Sequence, residues 1–185
     1  MVSNYNEALH INDIISTERL ILRQFKGSDA PDILEYGSDP KSLEYLVWDG
    51  VHTLDAAKAA IYDYYLSKPG IFAIELKAEQ KCIGTIDLRL EPEHDKAGFG
   101  YVLNRKYWGN GYMTEALSAI LTLCFEKLEL NRIEANHYVG NDSSGRVMEK
   151  ARMTRECVAK QQVRVKGVFH DVVHYGIIRE EWYSR

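Results

Sequence analysis

Cysteine is scarce in this chain: Cys82, Cys124 and Cys157 are the only three among 185 residues, an odd number set far apart. That spacing offers no disulfide framework and no Cys-x-x-Cys metal signature, and it suits reduced, buried thiols in a cytoplasmic protein. No metal site is expected. Long apolar runs are missing too. No stretch approaches the roughly 20 apolar residues that span a bilayer. Met1 to Ile15 is polar and mixed, without the basic flank and apolar core of a signal peptide, so no membrane partner is expected. Positive charge is not in excess either, with 23 Lys and Arg against 27 Asp and Glu and a formal net charge of −4. Duplex binding usually shows a basic face, so nucleic acid is not expected as a partner. A mildly acidic chain admits a cationic ligand such as an amine, although whole-chain charge does not describe a local site. No Ser/Gly/Pro-rich linker, low-complexity run or internal repeat divides the sequence. The length suits one domain with a sizeable core, expected over residues 1–185 with its body from about Thr17 to Trp182.

What is present is a mixed series of short strands and helices. Arg19 to Arg23 reads as a strand, and Ser28-Asp29 caps a helix running toward Tyr36, with Pro31 in its first turn. Thr53-Leu54-Asp55 opens a second helix, which Pro69-Gly70 stops. Ile71 to Leu76 reads as a strand. Ile83 to Leu90 alternates, with Ile86, Leu88 and Leu90 on one face and Thr85, Asp87 and Arg89 on the other. Phe99 to Leu103 is its hairpin return. The longest helix, from about Gly111 to Leu128, carries Ala116, Leu117, Ile120, Leu121, Cys124, Phe125 and Leu128 as an apolar stripe. Ile133 to Val139 is a strand, Asn141 caps a helix to about Arg152, and two last strands flank Lys166-Gly167. The class is therefore α+β, with a mostly antiparallel sheet of about seven strands and inserted helices.

The most informative stretch is Lys106-Tyr107-Trp108-Gly109-Asn110-Gly111-Tyr112-Met113-Thr114-Glu115-Ala116. It leaves a strand through a polar corner, passes two glycines and enters the longest helix. Glycines let the backbone turn tightly and approach a ligand closely. The first amides of a helix lack intrahelical acceptors and, with the positive end of its dipole, favour a phosphate. A Gly-x-Gly turn alone is often only a turn. No Gly-Lys-Ser/Thr ending makes it a P-loop, and the third glycine of a dinucleotide fingerprint is absent.

The full string, from Gly100-Tyr101-Val102-Leu103 through Trp108-Gly109-Asn110-Gly111-Tyr112 to Thr114-Glu115-Ala116, resembles the acetyl-CoA motif of GNAT-superfamily N-acetyltransferases. It is similar in particular to the branch of ribosomal-protein N-terminal acetyltransferases. Thr17 to Arg23, Ile83-Gly84-Thr85-Ile86, Asn131-Arg132-Ile133, Asn141-Asp142-Ser143-Ser144 and His170-Asp171-Val172 through Trp182 resemble further segments of that branch, in its order. The resemblance implies helices on both faces of the sheet and a splayed strand pair, Phe99 to Leu103 beside Ile133 to Val139, that takes the pantetheine arm of acetyl-CoA. It implies cofactor contacts at Tyr101, Val102, Leu103, Gly109, Asn110, Gly111, Tyr112, Met113, Thr114, Asn141 and Ser144. The protein it implies is a monomer or homodimer.

Acetyl transfer to an amine needs a neutral, positioned amine, a donor at the developing oxyanion and an acid for the leaving thiolate. A backbone N–H near Val102 is a candidate donor. Many relatives place a carboxylate base on the strand before the Gly-Tyr pair, but here that position is Gly98. Asp87, across the hairpin, and His137, on the strand lining the cleft, are substitute bases. The ordinary roles are a solvated carboxylate and a satisfied sheet histidine. Ser144 is a candidate acid, or else a hydroxyl that satisfies the helix start. The helix after Asn141 carries no tyrosine acid, and Arg152-Met153 replaces the family's Gly-Phe. Glu115 reads as a structural charge in the first turn. Tyr62, Tyr64, Tyr65 and Trp48 are candidates for the acceptor wall. The acceptor is a primary amine: a peptide N-terminus, or a small amine or antibiotic. A non-catalytic acyl-CoA-binding module and an incidental glycine turn are the remaining readings.

Overall fold

Ile71–Leu76 is buried at all six positions, as a strand covered on both faces must be. It is β3 of the computed structural model, which describes Tyr5, Glu7, Leu9 and residues 13–184, so most of the polar lead-in lies outside the described residues. In chain order the elements are β1 (Ile15–Ser16), β2 (Leu20–Arg23), α1 (Ala30–Gly37), α2 (Leu54–Ala60), β3, β4 (Lys81–Glu91), β5 (Lys96–Leu103), α3 (Tyr112–Thr122), β6 (Arg132–Tyr138), α4 (Asp142–Lys150), β7 (Thr154–Val165), β8 (Val168–Ile178) and α5 (Arg179–Tyr183). Single π turns, Ile61–Tyr65 and Leu123–Lys127, extend α2 and α3.

The strands form one sheet in the order β1-β2-β3-β4-β5-β6-β8-β7. The count is eight rather than about seven. The extra strand, β1, is two residues long and pairs Ile15 with Leu22, too short for a period-two pattern to register. All neighbours are antiparallel except β5 and β6.

Two apolar layers flank the sheet. On one face Phe72, Ile74 and Leu76 meet Ala116, Leu117, Ile120 and Leu121 of α3 and Met148 of α4. On the other, Ile71 and Ala73 meet Ile33 and Tyr36 of α1 and Ala57 and Ile61 of α2. This second layer changes the meaning of the alternation in β4. Thr85, on the polar side, is only 6% exposed and bonds the Tyr36 hydroxyl at 2.8 Å. At Thr85 the polar face is an inner wall covered from the α1 side; it opens through half-buried Asp87 to exposed Arg89. Asp29 stands at the α1 N-cap without a side-chain cap; its carboxylate instead accepts both Arg23 terminal nitrogens, each at 2.8 Å. Cys82 and Cys124 are buried, whereas Cys157 is exposed on β7, a correction to the reading of all three as core thiols. Among the described residues no helix is long and apolar enough to cross a membrane.

Candidate active site

β5 ends at Asn104, whose Oδ1 accepts from the Lys106 amide at 3.1 Å. A short 3-10 turn then leads to Gly109 and Gly111, at φ 79° and 80°. Residues with a Cβ rarely adopt that region, so glycine at both positions sets the turn. The carbonyls of the turn are occupied from the protein side. Asn110 Nδ2 donates to Tyr107 O at 3.2 Å and Trp108 O at 3.1 Å, and Arg19 Nη1 donates to Asn110 O at 2.9 Å. The first α-helical bond runs from Glu115 N to Gly111 O, which leaves the Tyr112, Met113 and Thr114 amides without intrahelical acceptors. Asn110, expected among the cofactor contacts, is thus committed through its side chain and carbonyl to shaping the loop, and the cleft beside the turn is lined by Gly109 and Gly111 on either side of it.

Glu115 does more than complement the helix dipole. Its carboxylate accepts from Thr17 Oγ1 at 2.6 Å, the Arg19 amide at 2.8 Å and Arg19 Nε at 2.7 Å. The Arg19 guanidinium also lies 4.6 Å from the centre of the Tyr112 ring. One carboxylate thereby clips the start of β2 to the glycine turn. Sequence reading placed Thr17 and Arg19 in the opening strand without assigning them this task, because the contact crosses 96 residues.

The strand pair opens as the resemblance implied. β5 and β6 pair only at Lys96 with Arg132, Ala97 with Ile133 and Gly98 with Glu134; beyond that they diverge. Asn104 N bonds Ile83 O, and bonded and non-bonded positions alternate along an antiparallel ladder. Gly100 and Val102 thus direct their peptide groups at β4, and Phe99, Tyr101 and Leu103 direct theirs into the V. The register narrows the candidate donor near Val102: the Val102 amide belongs to the sheet, and the neighbouring Tyr101 amide points away from β4. Leu103 O is taken by Trp108 Nε1 at 2.8 Å.

Two clefts meet at the V. One, of about 450 Å³, runs between the glycine turn and the start of α4 and is lined by Leu103, Gly109, Gly111, Met113, Thr114 and Arg146 among others. The other, of about 580 Å³, lies on the α1/α2 face between α2, β4 and β6 and is lined by Trp48, Tyr64, Asp87, Arg89, Asn136 and Tyr138 among others. Tyr45, Leu46, Tyr101, Val102, Asn141 and Ser144 line both. The Tyr45 hydroxyl bonds Gly140 O at 3.1 Å, bridging the divide. Tyr64, Tyr65 and Trp48 stand where expected, but Tyr62 does not: its ring points away, toward Gly27.

The candidate chemical groups fare differently. Asn141 holds the N-cap position of α4 without a side-chain cap, so the expected cap is absent and its amide lines both clefts. Ser144, expected either to serve the helix start or to face the cofactor, makes no side-chain hydrogen bond among the described residues; its amide bonds Asn141 O at 3.1 Å. Asp87 faces the second cleft with its side chain 25% exposed, and burial pushes its carboxyl above the ordinary value against the pull of Arg89 and Lys68. His137 is 7% exposed, with Nδ1 at 2.8 Å from Tyr138 O. Its Nε2 side is turned under α4: a Cβ on Gly145 would lie 2.9 Å from both His137 Nε2 and the Tyr175 hydroxyl. The geometry is that of a satisfied sheet histidine. Gly98 leaves Glu134 beside it, but Lys96 and Arg132, acting against burial, hold that carboxylate below the usual range. Apart from both clefts, Glu91, Glu93 and His94 cluster in the β4–β5 turn, where Lys96 already pairs with Glu91 at 3.2 Å.

A glycine turn ahead of helix amides without intrahelical acceptors, an opened parallel pair and a cleft joining them form a seat suited to a phosphate-bearing ligand with an extended arm. The acetyltransferase (GNAT) domain model matches residues 19–154, and the chain belongs to this family of acetyl-CoA-dependent acyltransferases. The uncharacterized N-acetyltransferase YnaD of Bacillus subtilis is 33% identical over 91% of this chain and 98% of its own length. The crystal structure of a GNAT acetyltransferase from Bacillus anthracis superposes with a TM-score of 0.83 at 31% identity, covering 91% of this chain and 99% of that one. The putative ribosomal N-acetyltransferase YdaF of Bacillus subtilis is 36% identical over 54% of this chain and 55% of its own.

Proposed function

We propose that this protein moves an acetyl group from acetyl-CoA to a primary amine, and that the amine is the α-amine at the end of a peptide. One observation carries the reading: Ser144, whose hydroxyl has no hydrogen-bond partner among the described residues, lines both clefts where they meet, and its carbonyl accepts from the Tyr101 hydroxyl. The first cleft fits the cofactor, because the Tyr112, Met113 and Thr114 amides have no partner among the described residues and nothing described lies within 4 Å of a Cβ built on Gly109. Bound there, acetyl-CoA supplies an activated thioester. The amides of Tyr112 to Thr114 would hold its pyrophosphate, with Gly109 and Gly111 leaving room for it, and the Tyr101 carbonyl and Leu103 N–H would hold its arm, beside Asn141. The Tyr101 N–H donates to the carbonyl oxygen as negative charge develops there. Attack by the neutral amine forms the N–C bond and breaks the C–S bond; Ser144 passes a proton to the departing sulfur and regains one from solvent.

The amine needs little help in losing a proton. An alkyl ammonium has a pKa near ~10 and an α-amino group near ~8, so far more of the α-amine is neutral at physiological pH. Asp87 receives the proton through water, and His137 keeps its structural place. The similarity to the putative ribosomal N-acetyltransferase YdaF supports a peptide acceptor in the second cleft. The test is thiol release from acetyl-CoA, screened against peptide α-amines, peptides whose only amine is lysine, polyamines and small amine antibiotics. Release with α-amine peptides ahead of all others is the expected result; release only with polyamines or antibiotics overturns the acceptor assignment.

A further inference from the structure

The second cleft carries an unusual pair of charges. Among the residues that line it, Asp87 is the only carboxylate and Arg89 the only lysine or arginine. They stand two residues apart on the same face of β4, a rise of about 7 Å. Arg89 does not simply neutralise Asp87, since the nearest approach is Nε to Oδ2 at 3.8 Å. Its guanidinium makes no hydrogen bond among the described residues, so the terminal fork is available for a carboxylate. The side chain is 64% exposed, yet its tip keeps a place at the cleft. A Cβ built on Gly100 would lie 3.2 Å from Arg89 Nη2, so the fork lies over the β5 backbone on the cleft floor, in room that a glycine leaves. A second cation stands nearby: Lys68 Nζ is 4.3 Å from the centre of the Tyr64 ring, and that ring lines the same cleft.

We propose that this cleft selects amines that carry a carboxylate one residue beyond the α-amino group, with Arg89 as the specificity-determining residue and Lys68 reinforcing it. The inference rests on the reading of the cleft as the amine site. An α-amine drawn toward Asp87 leaves the next carboxylate of its chain about one residue further along β4, over the free fork of Arg89. The carboxylate comes from an acidic second side chain, or from the free C-terminus of a dipeptide; the chemistry recognised is the same.

The experiment compares kcat/KM for three tetrapeptide amides, Ser-Asp-Ala-Ala, Ser-Asn-Ala-Ala and Ser-Lys-Ala-Ala, and for Ser-Ala with free and amidated C-termini. We expect the acidic tetrapeptide to exceed the neutral one about tenfold, in keeping with a charge-assisted contact. In Arg89→Gln the ratio falls to about one, and in Arg89→Glu the lysine peptide moves ahead. Thermal melts check that both variants fold. Preference for the free-carboxylate dipeptide alone assigns the carboxylate to a small acceptor, and preference for the internal aspartate assigns it to a polypeptide end. A ratio near one in the wild type, or a ratio unaltered in Arg89→Gln, overturns the proposal. If no acceptor is acetylated, calorimetry with the same peptides and CoA-loaded protein decides. Tighter binding of the acidic peptide keeps the selection and removes only the transfer reading; equal binding removes the selection.

Discussion

The Tyr101 hydroxyl donates to the Ser144 carbonyl at 3.1 Å, tying β5 to the first turn of α4 across the gap that opens between β5 and β6. The tie fixes Ser144 at the junction of the two clefts while leaving its own hydroxyl uncommitted. Ser144→Ala is therefore expected to lower kcat by roughly 100-fold, the lower end of what loss of a general acid costs. CoA affinity by calorimetry should hold within about twofold. Turnover equal to the parent's would return Ser144 to a packing role.

The clip between Arg19 and Glu115 predicts a binding defect with little chemical defect. Arg19→Ala removes a donor to Asn110 O and one to Glu115. Freed carbonyls then compete for the place where the loop presents amides. CoA should bind about tenfold more weakly, near the effect of losing a charged hydrogen bond. At saturating acetyl-CoA the rate should recover, and a KM unchanged from the parent's would rule the clip out as a loop-shaping device.

Gly111→Val tests the loop directly. A Cβ there has ordinary space, with Arg19 Nη2 at 3.5 Å, so the obstacle is the φ of 80° and not a clash. A β-branched residue in that region costs on the order of 1–3 kcal/mol. The melting temperature should fall by a few degrees while CoA affinity drops tenfold or more. Gly109→Ala is the companion variant, since its Cβ would enter open space at φ 79°. Normal CoA binding by both would mean that the phosphate seat lies elsewhere.

No single side chain should prove an indispensable base. Asp87→Asn is expected to cost less than the roughly 10²–10⁴-fold typical of general-base removal. Burial raises the Asp87 carboxyl, so its deprotonation limb in the rate–pH profile lies above the ordinary carboxylate range and should vanish in the variant. His137→Gln breaks the Nδ1 contact with Tyr138 O and should lower the melting temperature more than the rate. A thousandfold loss in either variant, with CoA binding intact, contradicts this view.

Acid should loosen the support beneath the phosphate loop. Lys106 and then Lys81 hold the Glu35 carboxyl at about 2, below its ordinary 4.5, and so fasten α1 to the β5–α3 corner. Because the folded-state value is the lower one, the stabilisation is complete above the unfolded-state pKa and is lost as pH falls from about 4.5 toward 2. With Lys106 74% exposed, screening reduces the effect to about 1 kcal/mol. The difference in melting temperature between the parent and Glu35→Gln should be present at pH 7 and close as the pH falls through that window. A difference constant with pH would remove the ion pairs as its cause.

Much of this protein was legible in the residue order alone. Period-two and period-3.6 patterns depend on neighbours a few positions apart, so Ile71 to Leu76, the α3 stripe and the final hairpin could be read locally. The glycine turn was legible for the same reason: two positive-φ residues and a helix start act within eight positions. Contacts far apart in sequence were not legible. Glu115 looked like a dipole partner until folding brought Thr17 and Arg19 to it. The polar face of β4 looked solvent-facing along its length until folding buried Thr85 and half-buried Asp87, leaving Arg89 exposed beside it. Val102 and Tyr101 are indistinguishable as oxyanion donors by composition; only the register of β5 on β4 leaves the Tyr101 amide free. His137 and Ser144 both bear suitable chemistry, and packing separated them. The ring is turned under α4 against Gly145 and Tyr175, whereas the hydroxyl stands where the clefts meet. Side-chain chemistry is set residue by residue, but which groups share a cavity follows from chain crossings that no local pattern encodes.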